Sequence, residues 1–203
     1  VVENPMDNFI TDAAYWKNGV DIALSNGFRF SPPINPGEAG VAPITRGDIW
    51  NMLPVNEKVK IGKASGEQIK NWLEKELHNV FAEKASERFG GWVVRFSGME
   101  LKFNANAPRG ERVQDIHVGG EPIEMDKLYK MSACRREGEP LHMLCRMPNT
   151  VETVVMDYTI HDLIEEYLAH VDTISPVRDG RAQALDLGDN VLSQLPGTDY
   201  HFH

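Results

Sequence analysis

The sequence predicts an α+β protein in which helices and strands form mixed layers. Amphipathic helical segments with clear capping residues alternate with short β-rich segments, and this interleaving predicts a layered fold. Glycine-containing pairs between the β-rich segments are typical of hairpins and bulges. At 203 residues the chain is long enough for a hydrophobic core, and we expect a single domain over residues 1–203.

The first 61 residues predict a helix and a strand, then a loop, then a second helix and strand. A helix over residues 7–17 has an apolar side, and Val20–Leu24 forms a short strand that Ser-Asn-Gly ends. Residues 31–43 hold four prolines and two glycines, which indicates a surface loop. Thr45 then caps a short helix, and Val59–Ile61 forms the next strand.

The longest predicted helix begins after Ser65. Its apolar residues recur with a period near 3.6, so they form one buried face. The charged residues on the other faces, among them Glu74, are expected to be solvated. The apolar residues are Ile69, Trp72, Leu73, Leu77, Val80 and Phe81.

The second half of the chain is β-rich before it reaches a last helix. Residues 92–103 contain two strands joined at Ser97-Gly98, a pair that indicates a turn or bulge. Gly119-Gly120 predicts a two-residue hairpin, and Leu128–Ala133 predicts another strand. Thr159 caps the last helix, after which we expect mostly loop with short extended pieces.

Charge and composition argue against two classes of partner. The formal net charge of −9 argues against nucleic acid, because such a partner needs a basic surface. No run of about 18 apolar residues is present, which argues against a membrane-spanning helix.

No leader-like segment follows Val1, so we expect a processed protein or a piece of a longer one. Either a disulfide or two buried thiols fits Cys134 and Cys145.

The sequence holds no self-sufficient catalytic or metal-binding motif. Its seven histidines are scattered, whereas a two-metal hydrolytic site needs clustered His, Asp and Asn side chains. The Gly-x-Ser-x-Gly, phosphate-loop and dinucleotide-binding motifs are also missing. We therefore predict no catalytic residue, no metal and no cofactor in this fragment.

Asn26, Phe28 and Arg29 form the first candidate binding segment. They directly follow a predicted strand, and ligands of open sheets gather at the carboxyl ends of strands. The planar guanidinium of Arg29 suits phosphate, sulfate or carboxylate. The alternative is a surface arginine in a turn that pairs with an acidic residue, and local sequence does not choose between the two.

Arg135 and Arg136 form the second candidate binding segment. Both follow a predicted strand and precede a glycine-containing loop. Adjacent arginines point to different sides, so one of them could face a site. The alternative is a solvated loop with weak surface ion pairs.

A series of short motifs follows one order along the chain, over residues 3 to 170. In chain order the motifs are Asp7-Asn8, Asp12-Ala13, Val20 to Gly27, Ile44 to Asp48, Gly66, Ile69, Trp72-Leu73-Glu74, Gly90-Gly91, Ser97-Gly98, Arg112-Val113, Gly119-Gly120 and Tyr129-Lys130. Each motif is weak alone, but the ordered series resembles the C-terminal domain of the 5'-nucleotidase superfamily. The resemblance implies a sheet with hairpins packed by helices, and an N-terminal metallophosphoesterase domain upstream.

Two positions depart from the nucleotidase pattern. Nucleotidases carry an aromatic residue in a Pro-Phe-Gly-Asn motif and another in a late glycine-rich loop, and the two sandwich the base. Here the first motif reads Pro54-Val55-Asn56, and residues 134–139 contain no aromatic residue. Stacking contributes about 1–3 kcal/mol per base, so a nucleotide substrate is doubtful. The Gly-Phe-Arg-Phe, Cys-Arg-Arg-Glu-Gly and Gly-Arg-Ala segments instead resemble the SoxB-type sulfur-oxidation enzymes.

The SoxB resemblance implies a substrate-binding domain of a periplasmic hydrolase. In that family, an N-terminal domain with two manganese ions releases sulfate from a thiosulfonate on a carrier protein's cysteine. The expected partners are therefore that domain and the sulfur carrier, and an oxidising compartment favours a Cys134–Cys145 disulfide. The implied substrate contacts are Arg29, Asn26, Phe28, Asn56, Arg135 and Arg136.

Two other functions stay open at the level of sequence. One is a phosphoester hydrolase of the nucleotidase type whose base contacts lie elsewhere. The other is a docking module for the carrier that contributes nothing to catalysis. Arg29 distinguishes the proposals, because its loss should damage turnover in the first case and only carrier affinity in the last.

Overall fold

The computed structural model describes residues 3–25, 34–89, 95–135 and 137–187. The described residues form four α-helices, two short 3₁₀ turns and nine strands, which confirms the predicted mixture of helices and sheets. The helices are α1 (Pro5–Asn18), α2 (Arg46–Met52), α3 (Gly66–Phe81) and α4 (Ile160–Val171). The strands are β1 (Ile22–Ser25), β2 (Lys58–Ser65), β3 (Arg95–Ser97), β4 (Met99–Phe103), β5 (Val113–Val118), β6 (Glu121–Pro122), β7 (Leu128–Cys134), β8 (Val151–Thr159) and β9 (Ala182–Ala184).

Three of the helices begin with a reciprocal capping box, at the residues that the sequence predicts. In each, a hydroxyl side chain accepts from the backbone N–H three residues later, and that residue's side chain accepts from the cap's backbone N–H. Such a cap contributes about 1 kcal/mol and fixes where the helix starts. The pairs are Thr45 with Asp48, Ser65 with Gln68 and Thr159 with Asp162.

The strands form a larger and a smaller mixed sheet. The larger sheet has the order β3-β1-β7-β2-β8, and within it only the β1–β7 pair is parallel. The smaller sheet has the order β6-β5-β4-β9. Strand β7 therefore lies at the centre of the larger sheet, between one strand from the start of the chain and another from its first third.

Both faces of the larger sheet are buried. Ile22 and Leu24 of β1 belong to a core that includes α3 and the smaller sheet. Ala23, between them, belongs to a second core built from α1, α2 and α4. This alternation follows from the two-residue period of a strand. The fold is thus three layers, with the larger sheet in the middle.

The predicted irregularity at Ser97-Gly98 is a corner where the chain changes sheets. Ser97 ends β3 in the larger sheet, and Met99 begins β4 in the smaller one. Gly98 has φ +82°, in the left-handed region that glycine occupies most readily. The predicted hairpin at Gly119-Gly120 is also confirmed, since these residues join β5 to β6 with positive φ at both positions.

Strand β8 has no counterpart in the sequence prediction. It is an outermost strand of the larger sheet and pairs only with β2 among the described strands, with two register shifts along the pairing. Val151 and Val154 are 46% and 57% exposed, so the strand lacks the apolar-polar alternation of a half-buried strand.

Helix α3 buries its predicted apolar face, but the expectation for Glu74 is wrong. Ile69, Trp72, Leu73 and Leu77 are buried, as the periodicity predicts. Glu74 is only 7% exposed, because its carboxylate accepts from the backbone N–H of Val113 at 2.6 Å and of Gly110 at 3.1 Å. The carboxylate thus joins α3 to the segment that leads into β5.

Replacing Glu74 with Gln should lower the free energy of unfolding by about 1–3 kcal/mol, because one backbone N–H that bonds to this buried side chain loses its acceptor. An amide offers one acceptor oxygen where the carboxylate uses two. The exposed neighbour Lys75 supplies the control, and Lys75→Gln should change stability by no more than about 0.5 kcal/mol. Urea unfolding of both variants measures the difference. Equal stabilities would show that the carboxylate contacts contribute nothing.

Candidate substrate-binding edge

One edge of the larger sheet, the side at which strands begin or end, brings together the ends of four neighbouring strands, β3, β1, β7 and β2. Strands β1 and β7 run parallel, with Ala23 opposite Ser132, so both end at this edge. Strand β2 begins there, because Val59 pairs with Cys134. Strand β3 begins there as well, because Arg95 pairs with Ser25. We call this the binding edge. In the sequence, residues 26–29 directly follow β1 and residues 135–136 directly follow β7.

Arg135 lies on the binding edge as the first residue after β7. Its backbone N–H donates to the carbonyl oxygen of Lys58 at 2.7 Å, which continues the pairing of β7 with β2. The side chain is half-buried. Its Nε atom is buried and has no hydrogen-bond partner among the residues that the structure describes. Buried guanidinium donors are usually paired, so Arg135 holds hydrogen-bonding capacity at this edge.

Lys60 holds the loop that begins at Arg135. The side chain is fully buried, and its ammonium group donates to the carboxylate of Glu139 at 2.9 Å. It also donates to the carbonyl oxygens of Pro140 at 3.1 Å and Met143 at 2.5 Å. Lys60 was not identified from the sequence, because alternation with Val59 indicates an outward-facing lysine when only one face of a sheet is buried.

A buried polar cluster lies at the other end of the binding edge. Ser25 donates to Asp7 at 3.1 Å, and the Arg95 guanidinium lies 3.9 Å from the same carboxylate. All three residues are at most 5% exposed. Burial lowers the pKa of Arg95, and the charges of Asp7 and Glu3 oppose that effect. The cluster fixes the end of β1 against the start of α1. Arg95 has no sequence signature that separates it from an ordinary strand arginine.

Asn56 lies just before β2, near the same edge. Its side-chain oxygen accepts from the backbone N–H of His161 at 3.1 Å, at the start of α4. His161 in turn is buried against α2, with its Nε2 atom 2.7 Å from the carbonyl oxygen of Leu53. Asn56 thus connects the binding edge to α4, and its predicted contact with substrate stays a prediction.

Several predicted site residues lie outside the part of the chain that the structure describes. Asn26, Phe28 and Arg29 follow β1 directly, and Arg136 follows Arg135, but none of the four is described. The side chain of Cys134 is not described either, so its disulfide with Cys145 stays a prediction. Cys145 is half-buried, and its carbonyl oxygen accepts from Trp72 Nε1 at 2.9 Å.

A second polar cluster, around Arg181, ties the end of the described chain to α1. Arg181 donates to Asp12 and Asp179 at 2.8 Å each and to the hydroxyl of Ser97 at 2.6 Å. Burial alone would lower the pKa of Arg181, but the hydrogen bonds to Asp179 and Asp12 outweigh it and raise that pKa. A groove of about 500 Å³ runs beside this cluster toward Gly98 and the Gly119-Gly120 hairpin.

Asp179 should make the domain sensitive to acid. The hydrogen bond from Arg181 lowers the pKa of Asp179, although burial acts in the opposite direction. A carboxylate with a lowered folded-state pKa stabilises the fold above its unfolded pKa of about 3.9, and the effect is lost as the pH falls through the folded value. Asp179→Asn should therefore reduce stability at neutral pH and flatten its decline in acid. Urea midpoints measured from pH 7 downward test this, and parallel curves for both proteins would contradict it.

Within the described residues, no three His, Cys, Asp or Glu side chains gather in a way that could hold a metal ion. No helix in those same ranges combines the length and apolar character that crossing a bilayer requires.

Two curated relatives have sequences similar to this chain. The trifunctional nucleotide phosphoesterase protein YfkN of Bacillus subtilis is 31% identical over 120 residues, covering 57% of this chain and 8% of that protein. Protein 5NUC of Lutzomyia longipalpis is 24% identical over an alignment of 224 positions, covering 98% of this chain and 36% of its own length. The chain thus spans about a third or less of each relative.

Solved structures share the fold. The 5'-nucleotidase precursor of Thermus thermophilus matches with a TM-score of 0.72 and 23% identity, over 93% of this chain and 37% of its own. The sulfate thiohydrolase SoxB of Thermus thermophilus matches with a TM-score of 0.73 and 21% identity, over 93% and 33%. At these identities the likeness is one of fold.

The family model confirms the resemblance that the motifs predict. The model described as 5'-nucleotidase, C-terminal domain, matches residues 1–133 of the 203, from before α1 to the penultimate residue of β7. This range holds α1 to α3 and three of the four strand ends that form the binding edge, together with all but the last residue of β7. The chain therefore belongs to the 5'-nucleotidase C-terminal domain family.

Proposed function

We propose that this chain is the substrate-binding domain of a hydrolase that releases sulfate from a cysteine-bound thiosulfonate on a carrier protein. The observation that carries the proposal is Arg135, which follows β7 directly at the edge where strand ends converge and whose buried Nε lacks a partner among the described residues. A guanidinium is suited to a sulfonate, because its planar donors match two oxygens at once.

The proposed reaction assigns binding and charge stabilisation to this domain. The oxygen of a water molecule bonds to the sulfonate sulfur, and the sulfur–sulfur bond breaks with its electron pair going to the sulfur that stays on the carrier. Sulfate leaves, the carrier's sulfur remains as an anion, and the two protons of the water pass to solvent. Arg29 and Arg135 hold the sulfonate oxygens and stabilise the negative charge that develops on them. Asn26, Phe28, Asn56 and Arg136 complete the pocket in this proposal.

The other components of the proposed enzyme lie upstream. An N-terminal metallophosphoesterase domain with two manganese ions would supply the activated water. This chain covers only about a third of the solved 5'-nucleotidase and SoxB chains. The remaining length of those chains leaves room for the further domain that the proposal requires. A periplasmic location follows from the same resemblance.

A nucleotide phosphoester is the second candidate substrate. The name of the Bacillus relative, a nucleotide phosphoesterase, favours it. Against it, Val55 occupies the position of a stacking aromatic residue and is 62% exposed, so it offers a base only a small apolar contact. Stacking on an aromatic ring contributes about 1–3 kcal/mol, which Val55 does not supply.

Parallel assays of the full-length enzyme distinguish the two substrates. Sulfate release from a thiosulfonated cysteine peptide and phosphate release from AMP are measured at matched concentrations. We expect kcat/KM for the thiosulfonate to exceed that for AMP by at least about 100-fold, the factor that about 2.7 kcal/mol of discrimination gives. A higher kcat/KM for AMP would overturn the proposal in favour of a nucleotidase. Turnover of the thiosulfonate that survives loss of both Arg29 and Arg135 would favour a docking module.

A further inference from the structure

Resting on the proposed function, we infer that Lys60 is a positioning residue that sets the geometry of the substrate-binding arginine Arg135 through the described residues 137–143 of the loop that follows it. Lys60 itself touches no substrate in this proposal. It acts through the loop, which it contacts at Glu139, Pro140 and Met143.

The first argument is that all of the hydrogen-bonding capacity of Lys60 is spent on one loop. An ammonium group has three donors, and the three acceptors of Lys60 all lie between residues 139 and 143. The side chain is 0% exposed, and that of Glu139 is 6% exposed. A buried ion pair contributes little net stability compared with apolar residues, so a buried lysine here suggests a role in holding one particular loop conformation.

The second argument is that the loop is fastened at both ends to the same strand. At its start, the backbone N–H of Arg135 donates to Lys58 of β2. At its far end, the Lys60 side chain of β2 binds Glu139 and the residues after it. The chain between these attachments includes Gly138, which has φ +76°. Two attachments on one strand, two residues apart, leave Arg135 little freedom to leave the binding edge.

The third argument is that the chain after the loop is held independently. Leu144 and Met147 are buried in the core, and Arg146 forms an ion pair with Glu76 of α3. Loss of Lys60 should therefore release the part of the loop next to Arg135 without detaching residues 144–147. This separates a positioning role from a general role in folding.

The test is a double-mutant cycle in the full-length enzyme, with the thiosulfonated cysteine peptide as substrate. Lys60→Met should lower kcat/KM by roughly 10- to 100-fold, since displacing a substrate contact by about 1 Å has effects of that size. In an Arg135→Ala background, the same substitution should change kcat/KM by less than about twofold, because the contact it positions is already gone. Lys63→Met, on the same strand, is the matched control, since Lys63 pairs with Glu152 away from this loop.

Hydrogen exchange of the same variants supplies the structural readout. In Lys60→Met, the backbone amides of residues 137–139 and 141–143 should exchange faster while those of α3 keep their protection. If Lys60→Met does not fold because the buried carboxylate of Glu139 is left without its partner, the double variant Lys60→Met/Glu139→Gln removes both charges and serves in its place.

Three outcomes overturn the inference. Unchanged exchange at the amides of residues 137–139 and 141–143 would show that Lys60 does not hold the loop. Equal losses of kcat/KM in both backgrounds would show that Lys60 acts on the fold rather than through Arg135. Full activity of Arg135→Ala alone would remove the contact from the proposed function and the positioning role with it. In that case the Arg135→Ala single variant keeps the parent's kcat/KM, which distinguishes failure of the proposed function from failure of the positioning role.

Discussion

In the full-length enzyme, Arg29→Ala is expected to lower the rate of sulfate release about 10²- to 10³-fold, the loss that removal of one oxyanion donor has caused elsewhere. Arg29 itself lies outside the described residues, but β1 ends at Ser25, on the edge that also carries Arg135. In the proposed function charge recognition supplies more of the specificity, because the positions that resemble the stacking sites of nucleotidases carry no aromatic residue. Arg29→Lys should fold and still lose rate, since an ammonium cannot match two sulfonate oxygens in one plane.

Steady-state release of sulfate from the thiosulfonated cysteine peptide measures this loss. Arg46→Ala is the control, because Arg46 is 80% exposed on α2 and pairs only with the surface residue Glu165 in the described chain. Thermal melting of each variant reports whether the fold persists. If the Arg29→Ala enzyme melts like the parent and its rate falls by no more than about threefold, the loss is far smaller than expected and the assignment is refuted.

Gly98→Ala is expected to reduce the free energy of unfolding by about 2–5 kcal/mol, the sum of left-handed backbone strain and overpacking. A Cβ atom at this position would lie 2.2 Å from the carbonyl oxygen of Asp21 and 2.5 Å from the Tyr15 ring. The carbonyl belongs to the backbone and cannot rotate away, so either α1 or the corner between the sheets must shift.

Gly120→Ala separates the two contributions to that loss. Gly120 has φ +85°, close to that of Gly98, but a Cβ atom there meets nothing within 4 Å. Its replacement should therefore cost only the strain of about 1–2 kcal/mol. Urea unfolding gives both values. If the two variants were equally stable, close packing at the corner would contribute nothing beyond backbone conformation.

Features that depend on neighbouring residues alone were predicted from the sequence. The three helix caps and the Gly119-Gly120 hairpin need only residues a few positions apart, so their signals survive in any fold that contains them. The apolar face of α3 was likewise predicted, because its period is set by the helix itself. The positions of Arg135 and Asn56 near one sheet edge follow from predicted strands, once the strand order is known.

Features that depend on distant contacts were not predicted. Lys60 and Glu74 are buried because a loop and a turn elsewhere in the chain supply their partners, and no local pattern indicates those partners. Strand β8 was missed because, at the sheet edge, it exposes two of its valines. The larger sheet lies between two layers, so its strands are buried on both faces. Such strands have no solvent-facing side, and the sequence pattern therefore does not predict which of their polar residues are buried.

The central position of β7 has a consequence for how the protein folds. Ile22 of β1 pairs with Met131 of β7, roughly 100 residues later in the chain. At a synthesis rate of about 5–20 residues per second, β1 would wait about 5–20 s on the ribosome for its parallel partner. Pairings of such long sequence separation also slow refolding, because loop closure precedes any gain from the contact. During that interval β1 can pack against α1 and, once Arg95–Ser97 has been synthesised, pair with β3.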